Sequence, residues 1–195
     1  MNLPNKLTIS RFALTGAFLA VMFSQIGGHE TIALSLFAAG GVTDFLDGQI
    51  ARRRKLITNF GILMDPLADK IMVCSAFIAF VGLGWIPAWM VVIVVARELA
   101  ITGLRMLAAS KNVVLAAERY GKHKTISQIV AIIAILVVHS YAGWGWFGKI
   151  FGFEIFGKPW AALFTQAAIW VAVILTLMSG WLYLWRNRAL YLEDM

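Results

Sequence analysis

The sequence predicts an all-α membrane protein, a polytopic bundle of six transmembrane helices with both termini in the cytoplasm. Hydrophobic residues make up 61% of its 195 residues and charged residues only 14%, whereas soluble domains contain roughly 45–50% apolar and about 25% charged residues. This composition excludes an ordinary soluble domain, and it excludes a disordered chain because disorder requires low hydrophobicity. Apolar stretches of about 20 residues recur along the chain, and each could cross the ~30 Å hydrocarbon core as a helix.

Six hydrophobic stretches account for most of the chain and predict a single integral-membrane domain over residues 1–195. In order, they cover residues 7–26, 31–52, 61–83, 86–107, 121–141 and 160–185. No small-x-small cleavage site follows the first stretch, so it is predicted to remain as a helix and not to be removed as a signal peptide. The glycine-rich and aromatic segment between the last two stretches is predicted to be a loop at the membrane–water interface.

Lysine and arginine residues predict the orientation of the bundle, because cytoplasmic loops carry an excess of both. With the N-terminus inside, thirteen of the seventeen fall at cytoplasmic ends of the stretches. Lys149 and Lys158 fall on the outer connection, while Lys70 and Arg97 fall within stretches. This bias places both termini in the cytoplasm.

Four aspartates lie near the cytoplasmic ends of the second and third stretches, where an ionisable group is costly and rarely kept without a use. Asp44 and Asp47 are three residues apart, and Asp65 and Asp69 are four apart, so each pair shares one helix face. In an antiparallel hairpin centred near residue 56, Asp44 lies at the depth of Asp69, and Asp47 lies at the depth of Asp65. The four carboxylates can therefore converge, with Asp44 ~12 Å along the helix from Arg52.

Four converging carboxylates in a low dielectric must take up protons or be neutralised by cations. Oxygen ligands favour a hard ion such as magnesium, manganese or calcium. Two divalent ions would balance the four charges, and paired metals suit phosphoryl transfer. Two alternatives remain open: ion pairs with Arg52, Lys70 and Arg97, or an ion pathway through the membrane.

The spacing of these residues resembles the signature of the CDP-alcohol phosphatidyltransferase family. The pattern is Asp44-x-x-Asp47-Gly48-x-x-Ala51-Arg52, then eight residues, then Gly61-x-x-x-Asp65-x-x-x-Asp69. All eight fixed positions of the signature are present, and the six-span layout agrees with the family's fold. The resemblance therefore covers essentially the whole chain.

The resemblance implies a metal site and a base. It implies that Asp44, Asp47, Asp65 and Asp69 hold two divalent cations, Mg²⁺ or Mn²⁺, which bind the pyrophosphate of CDP. It also implies that Asp69 is the general base of the reaction.

The resemblance further implies a nucleotide pocket. Its residues are Gly48, Ala51, Arg52 and Gly61, together with Thr8 and Arg11 from the N-terminal segment PNKLTISR. Small residues let a cytidine approach the backbone closely, and Arg52 can meet phosphate with a planar fork of donors.

Residues 97–128 resemble the bacterial branch of the family whose acceptor is sn-glycerol 3-phosphate. This resemblance implies that Arg97, Arg105, Lys122 and Lys124 bind the acceptor phosphate, and Glu98 is expected to pair with one of these bases. Lys122 and Lys124 also fit a simpler explanation, namely positive-inside topology or attraction to anionic lipids.

Together these resemblances imply transfer of a phosphatidyl group from CDP-diacylglycerol to sn-glycerol 3-phosphate, with release of CMP. They imply a homodimer in the bacterial cytoplasmic membrane, with the active site facing the cytoplasm and lipids as the surroundings. No nucleic-acid partner is expected. Two alternatives remain: the same chemistry with inositol phosphate, serine or phosphatidylglycerol as acceptor, or a divalent-cation transporter.

Overall fold

The computed structural model describes residues 3–54, 59–111, 113, 115 and 119–192, most of which are helical. Within the helices, the side chains of residues 3–8, 44–54, 59–66, 69, 119 and 120 lie outside this description. In chain order the elements are α1 (Leu3–Met22), α2 (His29–Arg54), α3 (Asn59–Gly82), α4 (Ala88–Ser110), α5 (Arg119–Ser140), a 3₁₀ helix (Tyr141–Trp144), α6 (Gly148–Phe151), β1 (Glu154–Ile155), β2 (Lys158–Pro159), α7 (Trp160–Arg186) and α8 (Ala189–Leu192).

Each of the six predicted stretches coincides with one long helix, and the ends differ by up to four residues. The largest difference is at α1, which ends at Met22 and not at residue 26. Just beyond that end, the Ser24 hydroxyl donates a 2.7 Å hydrogen bond to the carbonyl oxygen of Val21. Gly28 then takes a φ of +76°, a conformation open to glycine because it has no Cβ, and the chain turns into α2.

The turn between α3 and α4 has the hydrogen bonds of a Schellman motif. The amide of Trp85 donates to the carbonyl of Phe80 at 2.8 Å, and the amide of Gly84 donates to that of Val81 at 3.0 Å. Gly84 has a φ of +73°, as the C′ residue of this motif requires. The turn ends α3 and reverses the chain before Pro87, the N-cap of α4.

Helix α5 lies at the centre of the bundle, where it packs against α2, α3 and α7. Helix α1 packs against α2 and α3, and α4 packs against α3 and α7. Ile132, Ile135 and Leu136 of α5 are fully buried, and the rings of Phe18 and Phe37 join α1 to α2 with centroids 6.2 Å apart. This packing surrounds the predicted aspartate helices with α1 and α5.

Two helical segments in the described parts of the chain are long and apolar enough to cross a membrane. They are Gly121–Trp144, which continues α5 into the 3₁₀ helix, and Trp160–Arg186, which is α7. Ile9–Met22 and Lys70–Gly82 are shorter apolar segments. Helix α4 is also largely apolar, but it carries three charged residues, Arg97, Glu98 and Arg105. The six-span count and the cytoplasmic termini stay predictions.

The connection between α5 and α7 is folded, where the sequence led us to expect a loop. We call residues 141–159 the cap. Its strands β1 and β2 pair antiparallel, with Ile155 opposite Lys158. Phe156 (φ +54°) and Gly157 (φ +73°) join them, and two positive φ values in succession are typical of the type I′ turn of a tight hairpin.

Candidate active site

The four aspartates lie on two consecutive helices, Asp44 and Asp47 on α2 and Asp65 and Asp69 on α3. Their side chains lie outside the described residues. The same holds for the predicted nucleotide-binding positions Thr8, Gly48, Ala51, Arg52 and Gly61. The relative depth of the aspartates can still be inferred from the backbone, because the side chains of neighbouring residues on α2 and α3 are described.

The side chain of Met72 on α3 lies against the backbone of Gly40 on α2, in the space that a Cβ of residue 40 would need. Gly40 is four residues before Asp44, and Met72 is three residues after Asp69. Both helices continue unbroken through these positions, so Asp44 and Asp69 each lie about one helical turn from the contact, and both lie in the direction of the hairpin connection. The hairpin register therefore places Asp44 and Asp69 at the same level.

Arg11 lies beside this level. It is only 5% exposed and lines a cavity of about 90 Å³ together with Gly41 and Ala68. Gly41 is three residues before Asp44, and Ala68 immediately precedes Asp69. Helix α1 thus brings a buried guanidinium side chain next to the two helices that carry the aspartates.

Three charged side chains form an ionic cluster between α4 and α5, consisting of Arg97, Glu98 and Lys124. Glu98 Oε1 accepts from Arg97 Nη1 at 3.3 Å and from Lys124 Nζ. Glu98 is 6% exposed and Lys124 is 3% exposed. The expected pairing of Glu98 with a base is confirmed. Glu98 is therefore a carboxylate that two cations share.

Two hydrogen-bonded pairs extend the ionic cluster to α3 and α7. Lys70 Nζ donates to Thr102 Oγ1, and Thr102 Oγ1 donates to the backbone oxygen of Glu98 at 2.7 Å. Gln128 Nε2 donates to Thr176 Oγ1 at 2.9 Å, and both residues are buried. Thr102 and Thr176 are not among the site residues that the sequence motifs above predict. Thr102 follows Glu98 by four residues and so lies on the same face of α4, which is the sequence signal that could have indicated it.

Arg97 reaches Glu98 along the surface of α7. A Cβ built on Gly180 would lie 2.9 Å from Arg97 Cγ, so the absence of a side chain at Gly180 makes room for the arginine. Arg97 Nε is buried and has no hydrogen-bond partner among the described residues. A buried donor of this kind costs free energy until an acceptor reaches it.

The other two predicted acceptor residues, Arg105 and Lys122, lie apart from the ionic cluster and are exposed. Arg105 Nε donates to the hydroxyl of Tyr183 at 3.3 Å, and its guanidinium lies 5.7 Å from the centroid of that ring. Arg105 follows Glu98 by seven residues, which is ~10 Å along α4. The four cations therefore fall into two groups by exposure: half-buried Arg97 with buried Lys124, which we call the buried level, and the exposed pair Arg105 and Lys122.

Comparison with known proteins identifies the family. The model of the CDP-alcohol phosphatidyltransferase family matches residues 1–178, so the chain belongs to that family. Members of the family are membrane enzymes that generally depend on divalent metal ions. Together with the two long apolar helices, this membership identifies a membrane-bound transferase of phospholipid biosynthesis.

Three relatives are named CDP-diacylglycerol–glycerol-3-phosphate 3-phosphatidyltransferase. The protein from Bacillus subtilis (strain 168) is 40% identical over an aligned length of 198 residues, and the alignment covers 95% of each chain. The Mycoplasma pneumoniae protein is 35% identical over 158 residues, covering 72% of this chain and 70% of its own. The Rickettsia bellii protein is 30% identical over 182 residues, covering 93% of each.

Proposed function

We propose that this enzyme transfers the phosphatidyl group of CDP-diacylglycerol to sn-glycerol 3-phosphate, giving phosphatidylglycerophosphate and CMP. The names of relatives that match nearly the whole chain support this acceptor. The structural observation that carries the proposal is the contact of Gly40 with Met72. It sets the hairpin register that brings Asp44 level with Asp69.

In this proposal Asp44, Asp47, Asp65 and Asp69 hold two divalent cations, Mg²⁺ or Mn²⁺. Support comes from the donor set, since carboxylate oxygens are the ligands that these hard cations prefer. When bound, two such ions neutralise the pyrophosphate of the lipid substrate and stabilise the charge that develops on the leaving CMP.

Asp69 is the proposed general base. It takes the proton from the 1-hydroxyl of glycerol 3-phosphate, and that oxygen attacks the phosphorus that is bonded to diacylglycerol. A new phosphorus–oxygen bond forms, the bond to the CMP oxygen breaks, and CMP leaves with the electron pair. Because a carboxylate is a weak base for an alcohol, positioning of the two substrates must supply much of the acceleration.

The proposed nucleotide pocket consists of Thr8, Arg11, Gly48, Ala51, Arg52 and Gly61. The described member of this set, Arg11, supports the assignment through its position in the cavity beside Gly41 and Ala68. A buried guanidinium is a strong, directional donor to phosphate oxygens.

The acceptor phosphate is proposed to bind Arg97, Arg105, Lys122 and Lys124. Arg97 Nε is buried and has no hydrogen-bond partner among the residues that the structure describes, which supports a role for the buried level. Exposed Arg105 and Lys122 suit the attraction of a soluble dianion from the cytoplasm.

We also propose that residues 1–195 form one domain with six membrane-spanning helices and both termini in the cytoplasm. The protein would then lie in the bacterial cytoplasmic membrane as a homodimer, with its active site facing the cytoplasm. The distribution of lysine and arginine supports this orientation, because it leaves the aspartate hairpin at the basic ends of α2 and α3.

The test is an acceptor panel with the purified full-length protein, CDP-diacylglycerol and Mg²⁺ or Mn²⁺. Glycerol 3-phosphate should release CMP, whereas inositol phosphate, serine and phosphatidylglycerol should not exceed the release without acceptor. If only a different acceptor released CMP, glycerol 3-phosphate would be refuted as the acceptor, but phosphatidyl transfer would remain the proposed reaction. Metal uptake into vesicles without any CMP release would indicate a transporter instead.

A further inference from the structure

The cap between α5 and α7 is a folded unit with its own aromatic interior. The ring of Phe151 lies 5.5 Å from that of Trp144 and 5.9 Å from that of Trp160. Trp144 Nε1 donates to Thr31 Oγ1 at 2.9 Å, which ties the cap to the start of α2. Trp160 Nε1 donates to the carbonyl of Ile150 at 2.6 Å. These contacts fix the cap in place.

A second set of large apolar residues in the cap points away from this interior and is exposed by between 58% and 96%. We call it the apolar rim: Trp146, Phe147, Ile150, Phe153 and Phe156. Five large apolar side chains exposed within eleven residues exceed the scattered exposure that is normal for a protein surface. The apolar rim therefore needs a partner outside the described contacts.

Phe156 is the clearest member of the apolar rim. It is 96% exposed, and its φ of +54° is an outlier for a bulky residue. The position is the first central residue of a tight hairpin turn, where asparagine before glycine is the favoured choice. Local structure therefore does not explain the phenylalanine at this position.

The cap lies against the flank of the two helices that are apolar enough to cross a membrane. Phe151 of the cap lines a groove of about 230 Å³ together with Ile133 of α5 and Phe164 of α7. Phe164 is itself 49% exposed on the outside of the bundle. The surface of the cap is therefore continuous with the surface that lipid would cover.

The lysines of the cap favour a phospholipid surface over a purely apolar partner, because phospholipids also offer phosphate groups. Lys149 and Lys158 are exposed in the cap beside the apolar rim, and Glu154 is its one acidic residue. Lysine can extend its ammonium group to phosphate while its stem lies on apolar surface. Aromatic rings with flanking lysines are typical of segments that lie in the membrane–water interface.

We propose that the cap docks on the leaflet at its end of the bundle, with the apolar rim at the headgroup–acyl boundary and its two lysines on the phosphates of anionic phospholipids. This leaflet is the outer one in the proposed orientation. The inference requires a membrane-bound chain, but it does not depend on the proposed reaction.

The experiment uses the full-length chain with Cys74→Ser, reconstituted into vesicles of phosphatidylglycerol and phosphatidylethanolamine. In one variant, Phe156→Cys, an environment-sensitive fluorophore is attached to the new cysteine. In the matched control, Gln25→Cys, the same fluorophore is attached at position 25. Gln25 is exposed in the α1–α2 connection, which lies at the same end of the bundle as the cap. The label at position 156 should be quenched several-fold more by spin-labelled lipid than by aqueous iodide, and the label at position 25 should show the reverse.

Equal iodide quenching of the two labels would overturn the inference. Efficient crosslinking between the cysteines at position 156 of two chains would overturn it as well, since the apolar rim would then contact a second copy.

The double variant Lys149→Gln with Lys158→Gln tests the role of the lysines. It should reduce the lipid quenching to the value in vesicles without anionic lipid. Phe156→Asn places a favoured turn residue at this position and so preserves the hairpin. In this variant, a fluorophore attached to a cysteine at position 153 should be quenched less by spin-labelled lipid. CMP release should be unchanged in that variant, which separates the cap from the proposed reaction.

Discussion

Replacing Glu98 by glutamine should destabilise the protein more than replacing either neighbouring cation. The ionic cluster contains one carboxylate between Arg97 and Lys124, and both Glu98 and Lys124 are buried. Glu98→Gln removes the carboxylate that Arg97 and Lys124 share. Lys124→Met leaves Glu98 paired with Arg97 at 3.3 Å, so that variant keeps a neutral ion pair.

The size of the effect follows from the geometry. At the 3.3 Å separation of Arg97 Nη1 and Glu98 Oε1, an effective dielectric constant of about 20 gives roughly 5 kcal/mol of attraction before desolvation. Removing one partner of a buried pair costs about 3–5 kcal/mol in proteins. We expect a loss of that size in the free energy of unfolding for Glu98→Gln, and roughly half of it for Lys124→Met, because one cation–carboxylate pair survives.

The assay is reversible unfolding of the purified protein in mixed micelles, with Thr176→Val as an uncharged control. Thr176→Val removes the acceptor of the buried Gln128 amide without changing any charge, and hydrogen bonds between membrane helices average about 0.6 kcal/mol. The expected order of destabilisation is Glu98→Gln, then Lys124→Met, then Thr176→Val. If Lys124→Met proves as damaging as Glu98→Gln, or if neither exceeds the control, then the charge balance of the cluster does not stabilise the fold as argued.

Three further predictions concern the metal, the base and the cap. Chelation with EDTA should abolish CMP release and added Mg²⁺ or Mn²⁺ should restore it, while activity that persists through exhaustive chelation would contradict the proposed aspartate site. Asp69→Asn should lower turnover by several orders of magnitude and largely spare CDP binding measured by calorimetry; the opposite pattern would reassign Asp69 to nucleotide binding. Gly148→Ala should cost about 1–3 kcal/mol in stability, because the new methyl group would overlap the carbonyl oxygen of Tyr141. Gly143→Ala is the control for this last variant, since a Cβ there meets nothing within 4 Å, and equal losses in both would refute the steric explanation.

The depth of the aspartates could be predicted from the sequence because a helical hairpin with a short connection has little freedom of register. Once residue 56 is taken as the centre, the helical rise fixes which residues of α2 and α3 are level. The contact of Gly40 with Met72 agrees with that register. The α1 boundary was less predictable, since hydropathy continues through Phe23 and Ile26 while the hydrogen bond of Ser24 ends the helix.

The pairing of Glu98 with Lys124 could not be predicted, because it depends on which helices are neighbours. The sequence offers Arg97, Arg105, Lys122 and Lys124 as candidate bases, and spacing along one helix cannot choose among residues on another. Packing of α4 and α5 beside α7 makes the choice. The cap hairpin escaped prediction for a different reason, since a phenylalanine before Gly157 lacks the asparagine–glycine signal of a tight turn.

The proposed acceptor cations differ in exposure, and this difference bears on how a soluble phosphate ester would reach the buried ones. Exposed charges act over about 10 Å at moderate salt, so Arg105 and Lys122 can raise the local concentration of a dianion without holding it firmly. Lys124 is already paired with Glu98, and a phosphate that reaches it must share that ammonium group with the carboxylate. Arg97 keeps a buried donor without a partner among the described residues. In the proposed acceptor site, Glu98 would therefore compete with an incoming phosphate for both Arg97 and Lys124.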